Sequence, residues 1–183
     1  MIVELQKASA IPLFIGADQE GGGIVRFNFL NELTPQIKIK ETQQAEQIAF
    51  TRAKELHELG VNMNFSPMIE YISNGKPYFD RTFGAKPDKI STLANAMIKG
   101  YIRGGVVPGA KHFPGYGDLF FDPHKKQIVT IDPEGLKINL STFQKIIAAN
   151  PTVAIMTAHV LIPSVDSKPA TLSSKFLNEI LRN

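Results

Sequence analysis

Short apolar runs alternate with amphipathic stretches along the whole chain. Ile11 to Asp18 (Ile-Pro-Leu-Phe-Ile-Gly-Ala-Asp) is continuous and apolar and closes on a carboxylate followed by Gln19, Glu20 and three glycines, the pattern of a buried strand opening into a loop. Thr42 to Leu59 places Ala45, Ile48, Ala49, Ala53, Leu56 and Leu59 at helical spacing, with Gly60 as the C-terminal cap. Val61 to Met68 predicts a second strand, whose two-residue period puts Asn62 and Asn64 on one side. Pro87-Asp88 starts a second helix that runs through Leu93, Ala94, Met97, Ile98 and Tyr101 and stops at Gly104-Gly105. Val106 to Phe113 predicts a third strand, Leu140 to Ala149 a helix, Thr152 to Val160 a fourth strand and Ser174 to Leu181 a last helix.

Unbroken alternation of strand and helix predicts an α/β chain with a parallel sheet and helices outside it. A doubly wound sheet concentrates function in one crevice beside a glycine-rich phosphate loop, whereas a (β/α)8 TIM barrel carries polar residues at the C-terminal end of many strands. Here each predicted strand ends in polar chemistry: Asp18-Gln-Glu, Asn64-Phe-Ser, Lys111-His112 and Thr157-Ala-His159. The run Asp18-Gln-Glu-Gly-Gly-Gly fits neither Gly-x-Gly-x-x-Gly nor Gly-x-x-x-x-Gly-Lys. The barrel is therefore the expected class. A complete one takes about 200 residues at the least, so four strands in 183 residues predict part of a barrel, organised as a single domain over 1–183.

Composition narrows the functions. With 43% hydrophobic and 20% charged residues the chain is ordinarily globular. The net charge of +3 is spread along the chain, which gives nucleic-acid binding little support. The absence of cysteine excludes disulfides, thiolate metal sites and thiol nucleophiles. No apolar run approaches the roughly 20 residues needed to span a membrane, and no leader pattern opens the chain, so a cytoplasmic location is expected.

The densest chemistry lies in Gly109-Ala-Lys-His-Phe-Pro-Gly-Tyr-Gly-Asp118, followed by Asp122-Pro-His124. Three readings are open. Lys111 and His112 could form buried ion pairs with carboxylates while the glycines and Pro114 turn the chain. His112, Asp118, Asp122 and His124 could ligate a metal, although the spacing lacks a helical His-x-x-x-His pattern and Lys111 would repel a cation. The preferred reading is an acid/base loop, in which Pro123 holds Asp122 and His124 extended on one side and the carboxylate orients and charges the imidazole. Asp18 is a turn cap or, with Arg26 nearby, a carboxylate that bridges vicinal sugar hydroxyls. Arg81-Thr-Phe-Gly is either a solvated cation with a packed phenylalanine or part of the same site. His159 reads equally as a satisfied core histidine, and His57 as solvent-facing.

Taken in order, Pro12-Leu-Phe-Ile-Gly-Ala-Asp-Gln-Glu-Gly-Gly, Gly60-Val-Asn-Met-Asn-Phe-Ser-Pro, Arg81-Thr-Phe-Gly, Lys111-His-Phe-Pro-Gly-Tyr-Gly-Asp with Asp122-Pro-His, and Pro169-Ala-Thr-Leu-Ser resemble the N-terminal domain of glycoside hydrolase family 3. The Lys-His-Phe-Pro-Gly loop with its downstream Asp-x-His is similar to the β-N-acetylhexosaminidase branch, whose members release N-acetylglucosamine during cell-wall recycling. The resemblance implies that Asp18, Arg81, Lys111 and His112 bind the sugar, and Arg26, close to Asp18 in sequence, is taken as a substrate-binding candidate with them. The resemblance further implies that His124, paired with Asp122, is the acid/base of a retaining hydrolysis that passes through a glycosyl-enzyme. It implies no metal and no organic cofactor.

Gly23 and Tyr116 depart from the pattern, which usually has Arg and His there. The resemblance also places the nucleophilic aspartate beyond Asn183 and a first βα unit before Met1, so the chain is expected to be a truncated product with no nucleophile of its own. Two further expectations follow: self-association through open sheet edges, or complementation by a downstream fragment. A non-catalytic sugar-binding or assembly-dependent module is the alternative, and a metal-dependent hydrolase the less favoured one.

Overall fold

The computed structural model describes residues 2–118, 129–130 and 133–182. Strands β1 (Gly16–Ala17), β2 (Met63–Asn64), β3 (Val107–Phe113) and β5 (Ala154–Thr157) form one sheet in that order, every pair parallel. β4 (Val129–Thr130) and β6 (Val160–Leu161) form a separate parallel pair. Helices α1 (Ile2–Ala8), α2 (Thr42–Glu58), α3 (Pro87–Arg103) and α4 (Pro133–Ala149) intervene, and a π-type turn covers Lys175–Ile180. In the larger sheet spatial order follows chain order without reversal. That is the progressive winding of a barrel, with no point at which a doubly wound sheet would turn back. The expected α/β partial barrel is thus the observed fold.

The helices match their periodicity. α2 buries Ala45, Ile48, Ala49, Ala53 and Leu56, and α3 buries Leu93, Ala94, Met97, Ile98 and Tyr101. Where they cross, glycine sets the separation. A Cβ on Gly100 would lie 2.3 Å from the Glu46 carbonyl oxygen, and one on Gly104 2.4 Å from Ala53 Cβ. α4 begins at Pro133, seven residues before the expected Leu140, because proline is favoured in a helix's first turn and the polar opening Pro-Glu-Gly masks the periodicity.

The early strands are shorter than predicted. Only Gly16–Ala17 of the run from Ile11 pairs, and Ile11 and Phe14 are 75% and 72% exposed. The Asn62 side chain accepts Ile15 N–H at 2.7 Å and donates to the Leu13 carbonyl at 2.8 Å, occupying the groups a strand ladder would use. Asn64, fully buried, likewise engages Gln19 N–H and carbonyl and donates to the Tyr101 hydroxyl at 3.0 Å. Asn64 therefore belongs to the frame, not to the strand-end chemistry the sequence suggested.

Candidate active site

The sheet brings the C-terminal ends of β1, β2 and β3 side by side, and the charged residues that follow them converge there. Lys111, near the C-terminal end of β3, is 1% exposed. Its ammonium lies 2.7 Å from Asp18 Oδ1 and 2.5 Å from Glu20 Oε1, both on the loop after β1. Arg81, closing the short turn Phe79–Arg81, grips Glu20 with two bonds, Nε to Oε2 at 3.0 Å and Nη2 to Oε1 at 2.7 Å. Arg26 stands 3.7 Å from Asp18 Oδ2 with its side chain 56% exposed. The five residues predicted to bind substrate, Asp18, Arg26, Arg81, Lys111 and His112, thus occupy one neighbourhood. Asp122 and His124 lie outside the described residues.

The loop that carries Asp18 and Glu20 is held from behind. Gln19 Oε1 accepts the backbone N–H groups of Arg26 and Phe27, folding Arg26 back toward Asp18. Arg52, fully buried on α2, donates to the carbonyls of Glu20 and Thr34, each at 2.8 Å. Gly21 has a φ of 86°, and a Cβ there would lie 2.3 Å from the Thr34 carbonyl oxygen, so only glycine lets this loop close. Gly23, where the resemblance leads one to expect arginine, has no atom near the position its Cβ would take. It lines a cavity of about 260 Å³ with Glu20, Ile24, Asp80 and Arg81.

His112 follows Lys111 across a cis peptide bond. Its Nδ1 is 2.7 Å from Glu70 Oε1, which also accepts the His112 backbone N–H at 2.8 Å, while Oε2 accepts Tyr116 N–H. Glu70 is fully buried on the segment after β2, where Ile69 N–H pairs with the Lys111 carbonyl. Tyr116 lies over the imidazole with ring centroids 4.7 Å apart. The histidine expected at position 116 is thus replaced by an aromatic that packs on His112.

Burial is the largest influence on all three titrating groups. It pushes Asp18 and Glu20 up, yet hydrogen bonds and charge from Lys111, joined by Arg26 at Asp18 and by Arg81 at Glu20, bring both carboxyls below their ordinary values. For His112 burial prevails over Glu70, and the charges of Lys111 and Arg81 push the same way, so the imidazole is held below the ordinary histidine value and favours the neutral form.

The ion-pair alternative for Lys111 and His112 therefore describes their contacts. It does not exhaust the site, because Asp18 stays one-third exposed and presents a fixed, ionised carboxylate at the open strand ends. Asp118, considered as a metal ligand, accepts Ser73 N–H at 2.7 Å. His159 is not a core residue: it is exposed, 2.6 Å from the Thr171 hydroxyl. His57 faces solvent as expected. Sequence reasoning missed three residues that hold the site, Glu20, Arg52 and Glu70. A single carboxylate inside the otherwise uncharged stretch Asn62 to Gly75 was the available signal for Glu70.

Residues 2–183 match the Glycosyl hydrolase family 3 N terminal domain. Beta-hexosaminidase A of Pseudoalteromonas piscicida is 34% identical over 203 residues, covering 97% of this chain and 34% of that protein. A beta-hexosaminidase of Nitrosomonas eutropha is 35% identical over 187 residues, covering 94% of this chain and 53% of its own length. Among solved structures, a glycoside hydrolase family 3 beta-N-acetylglucosaminidase from Paenibacillus sp. superposes over 99% of this chain and 37% of its own with a TM-score of 0.87 at 33% identity. NagZ from Neisseria gonorrhoeae, in complex with N-trifluoroacetyl-D-glucosamine, does so over 100% and 57% with a TM-score of 0.87 at 28% identity. The chain spans about a third to just over half the length of these relatives.

Proposed function

This chain belongs to the glycosyl hydrolase family 3 N-terminal domains, and on that premise we propose that it binds a terminal β-linked N-acetylglucosamine and protonates the leaving group in its retaining hydrolysis. The supporting observation is the strand-end cluster, in which Lys111 and Glu20 are locked by ion pairs while Asp18 keeps a partly open carboxylate. A carboxylate held ionised by a buried cation accepts two vicinal hydroxyls at once. Arg26 and Arg81 flank it, and His112 contributes a neutral imidazole.

His124, oriented by Asp122, gives its proton to the glycosidic oxygen and takes one from the incoming water. The carboxylates placed around Lys111 are engaged, Asp18 and Glu20 with cations and Glu70 with three N–H groups. As the family resemblance implies, we assign the attacking carboxylate to a segment outside residues 1–183, either continuous with this chain or supplied by a separate fragment. The substrate class is an N-acetylglucosaminyl glycoside of the kind found in cell-wall fragments.

The test is release of 4-nitrophenol from its N-acetyl-β-glucosaminide by the 183-residue chain alone and mixed with the polypeptide encoded immediately downstream. Turnover is expected only in the mixture and is expected to fall at least a hundredfold in His124→Ala, the lower end of what a proton-transfer group supplies. Full turnover by the chain alone would overturn the assignment of the nucleophile, and an active His124→Ala protein that of the proton donor. A sugar-binding module without catalysis is the second reading, favoured by binding in both preparations with turnover in neither.

A further inference from the structure

We propose that Glu70 is a positioning residue that fixes His112 in its Nδ1–H form and so makes the remaining ring nitrogen, Nε2, an acceptor that recognises only hydrogen-bond donors. The proposal rests on the reading of this site as sugar-binding, and the donor it assigns is a sugar hydroxyl. Glu70 is fully buried and takes a backbone N–H on each oxygen, from His112 on Oε1 and from Tyr116 on Oε2. It therefore meets the ring as an acceptor, and the 2.7 Å contact to Nδ1 requires the proton to sit on that nitrogen.

The surroundings leave the ring no second proton. The charged groups that bear on it are Glu70 from the segment after β2, Lys111 on its own strand, Arg81 from the Phe79–Arg81 turn and Asp18 from the loop after β1. Two are cations, and the side chain is only 7% exposed, so the imidazolium is disfavoured despite Glu70. A neutral imidazole has one N–H, and Glu70 uses it.

The same carboxylate resists the reversed ring. Rotating the imidazole by half a turn would set a carbon against Glu70 Oε1 and give up a charge-assisted bond in a dry site. The Tyr116 ring 4.7 Å away packs on the imidazole, and its backbone is tied to Glu70 as well. One buried side chain thus sets the ring's tautomer, its orientation and the aromatic that covers it. A hydroxyl facing Nε2 must donate; fluorine or an ether oxygen in its place cannot.

The test begins without any sugar. In protein labelled with ¹⁵N at its four histidines, with His112 assigned by its loss in His112→Gln, long-range ¹H–¹⁵N correlation is expected to show Nδ1 protonated and Nε2 bare. The signature is expected to hold from about pH 8 to about pH 6, where an ordinary histidine is mostly charged. Glu70→Gln, isosteric and uncharged, is expected to lose the pure Nδ1–H signature. A wild-type spectrum with Nε2 protonated, or a Glu70→Gln spectrum identical to wild type, would overturn the proposal. The wild-type spectrum decides even if the variant fails to fold.

The sugar arm uses N-acetylglucosamine with single hydroxyls replaced by hydrogen or by fluorine. At the position facing His112 both replacements are expected to weaken binding about tenfold, the worth of one hydrogen bond. Retention of affinity by all the fluorinated sugars, with loss in a deoxy one, would mean that the imidazole donates and would overturn the proposal. Failure of every sugar to bind would instead sink the functional reading while leaving the nitrogen spectrum to decide the tautomer.

Discussion

The α2/α3 contact and the strand-end cluster sit in the same small fold and are built on opposite principles. The helices meet through alanine, isoleucine, leucine and methionine, with Gly100 and Gly104 bringing the backbones together. The cluster puts Lys111, Glu20, Glu70 and Arg52 out of contact with water and spends most of their hydrogen-bonding capacity on one another or on backbone. Apolar packing of the first kind stabilises in proportion to the area removed from water. Buried ion pairs roughly break even against apolar residues of the same size but cost several kcal/mol when one partner is lost. The difference teaches that the helix layer carries the stability and the cluster carries a geometry, which substitutions can separate.

The sharpest separation comes from Lys111→Met, which keeps an unbranched chain one atom shorter and removes the charge. Asp18 and Glu20 then face each other without their shared cation, and a urea titration is expected to show a loss of about 3 kcal/mol, the low end for a broken buried pair because Glu20 keeps Arg81. Sugar affinity should vanish with it.

In the helix layer, Gly100→Ala drives a methyl into the Glu46 carbonyl oxygen and is expected to cost about 2 kcal/mol, within the range for overpacking. Its sugar affinity, measured well below the unfolding midpoint, should match wild type. A fall in affinity like that of Lys111→Met would dissolve the distinction between the two regions.

Acid should act on the cluster through its buried groups, whereas Asp88 and Asp166, also held below the ordinary carboxylate range by Lys145 and Ser173, pair nearer the surface. Folded His112 binds its proton more weakly than a histidine of the unfolded chain, so the unfolded state gains protons first as pH drops below about 6.5 and stability declines from there. Asp18 and Glu20 have lowered values, so their contribution is complete above the ordinary carboxylate range and is lost only as pH falls further, through those lowered values. Melting temperatures in a pH series should show both limbs, and His112→Gln should lack the upper one. The smallest effect is expected from Arg26→Ala: this half-exposed partner of Asp18 contributes less than about 0.5 kcal/mol to stability, as surface pairs do.

How much of this was legible in the sequence follows the same division. The spacing of Ala45, Ile48, Ala49, Ala53 and Leu56 gives α2 to within a residue, because a helix's hydrogen bonds and its buried stripe are both local. The strand between Ile11 and Asp18 is shorter than its pattern predicts because the side-chain amide of Asn62, distant in sequence, takes the place of a backbone ladder at Leu13 and Ile15. Asp18, Lys111 and His112 stood out as polar groups ending apolar runs. Glu70 did not, because what gives it meaning is a contact made across 42 positions of sequence. Gly100 likewise carries no local mark, since its role is set by the Glu46 carbonyl on another helix.

The central claim is that the cluster around Lys111 holds a sugar. It is tested most directly by titrating N-acetylglucosamine into the wild-type chain, Gly100→Ala and Asp18→Asn, with binding read from ¹H–¹⁵N shifts. Saturable binding is expected for the first two, with the shifts centred on residues 18–26 and 111–116, and a loss of at least tenfold for Asp18→Asn, the worth of a charged hydrogen bond. Equal binding by Asp18→Asn, or no saturable shift in the wild-type protein, would contradict it.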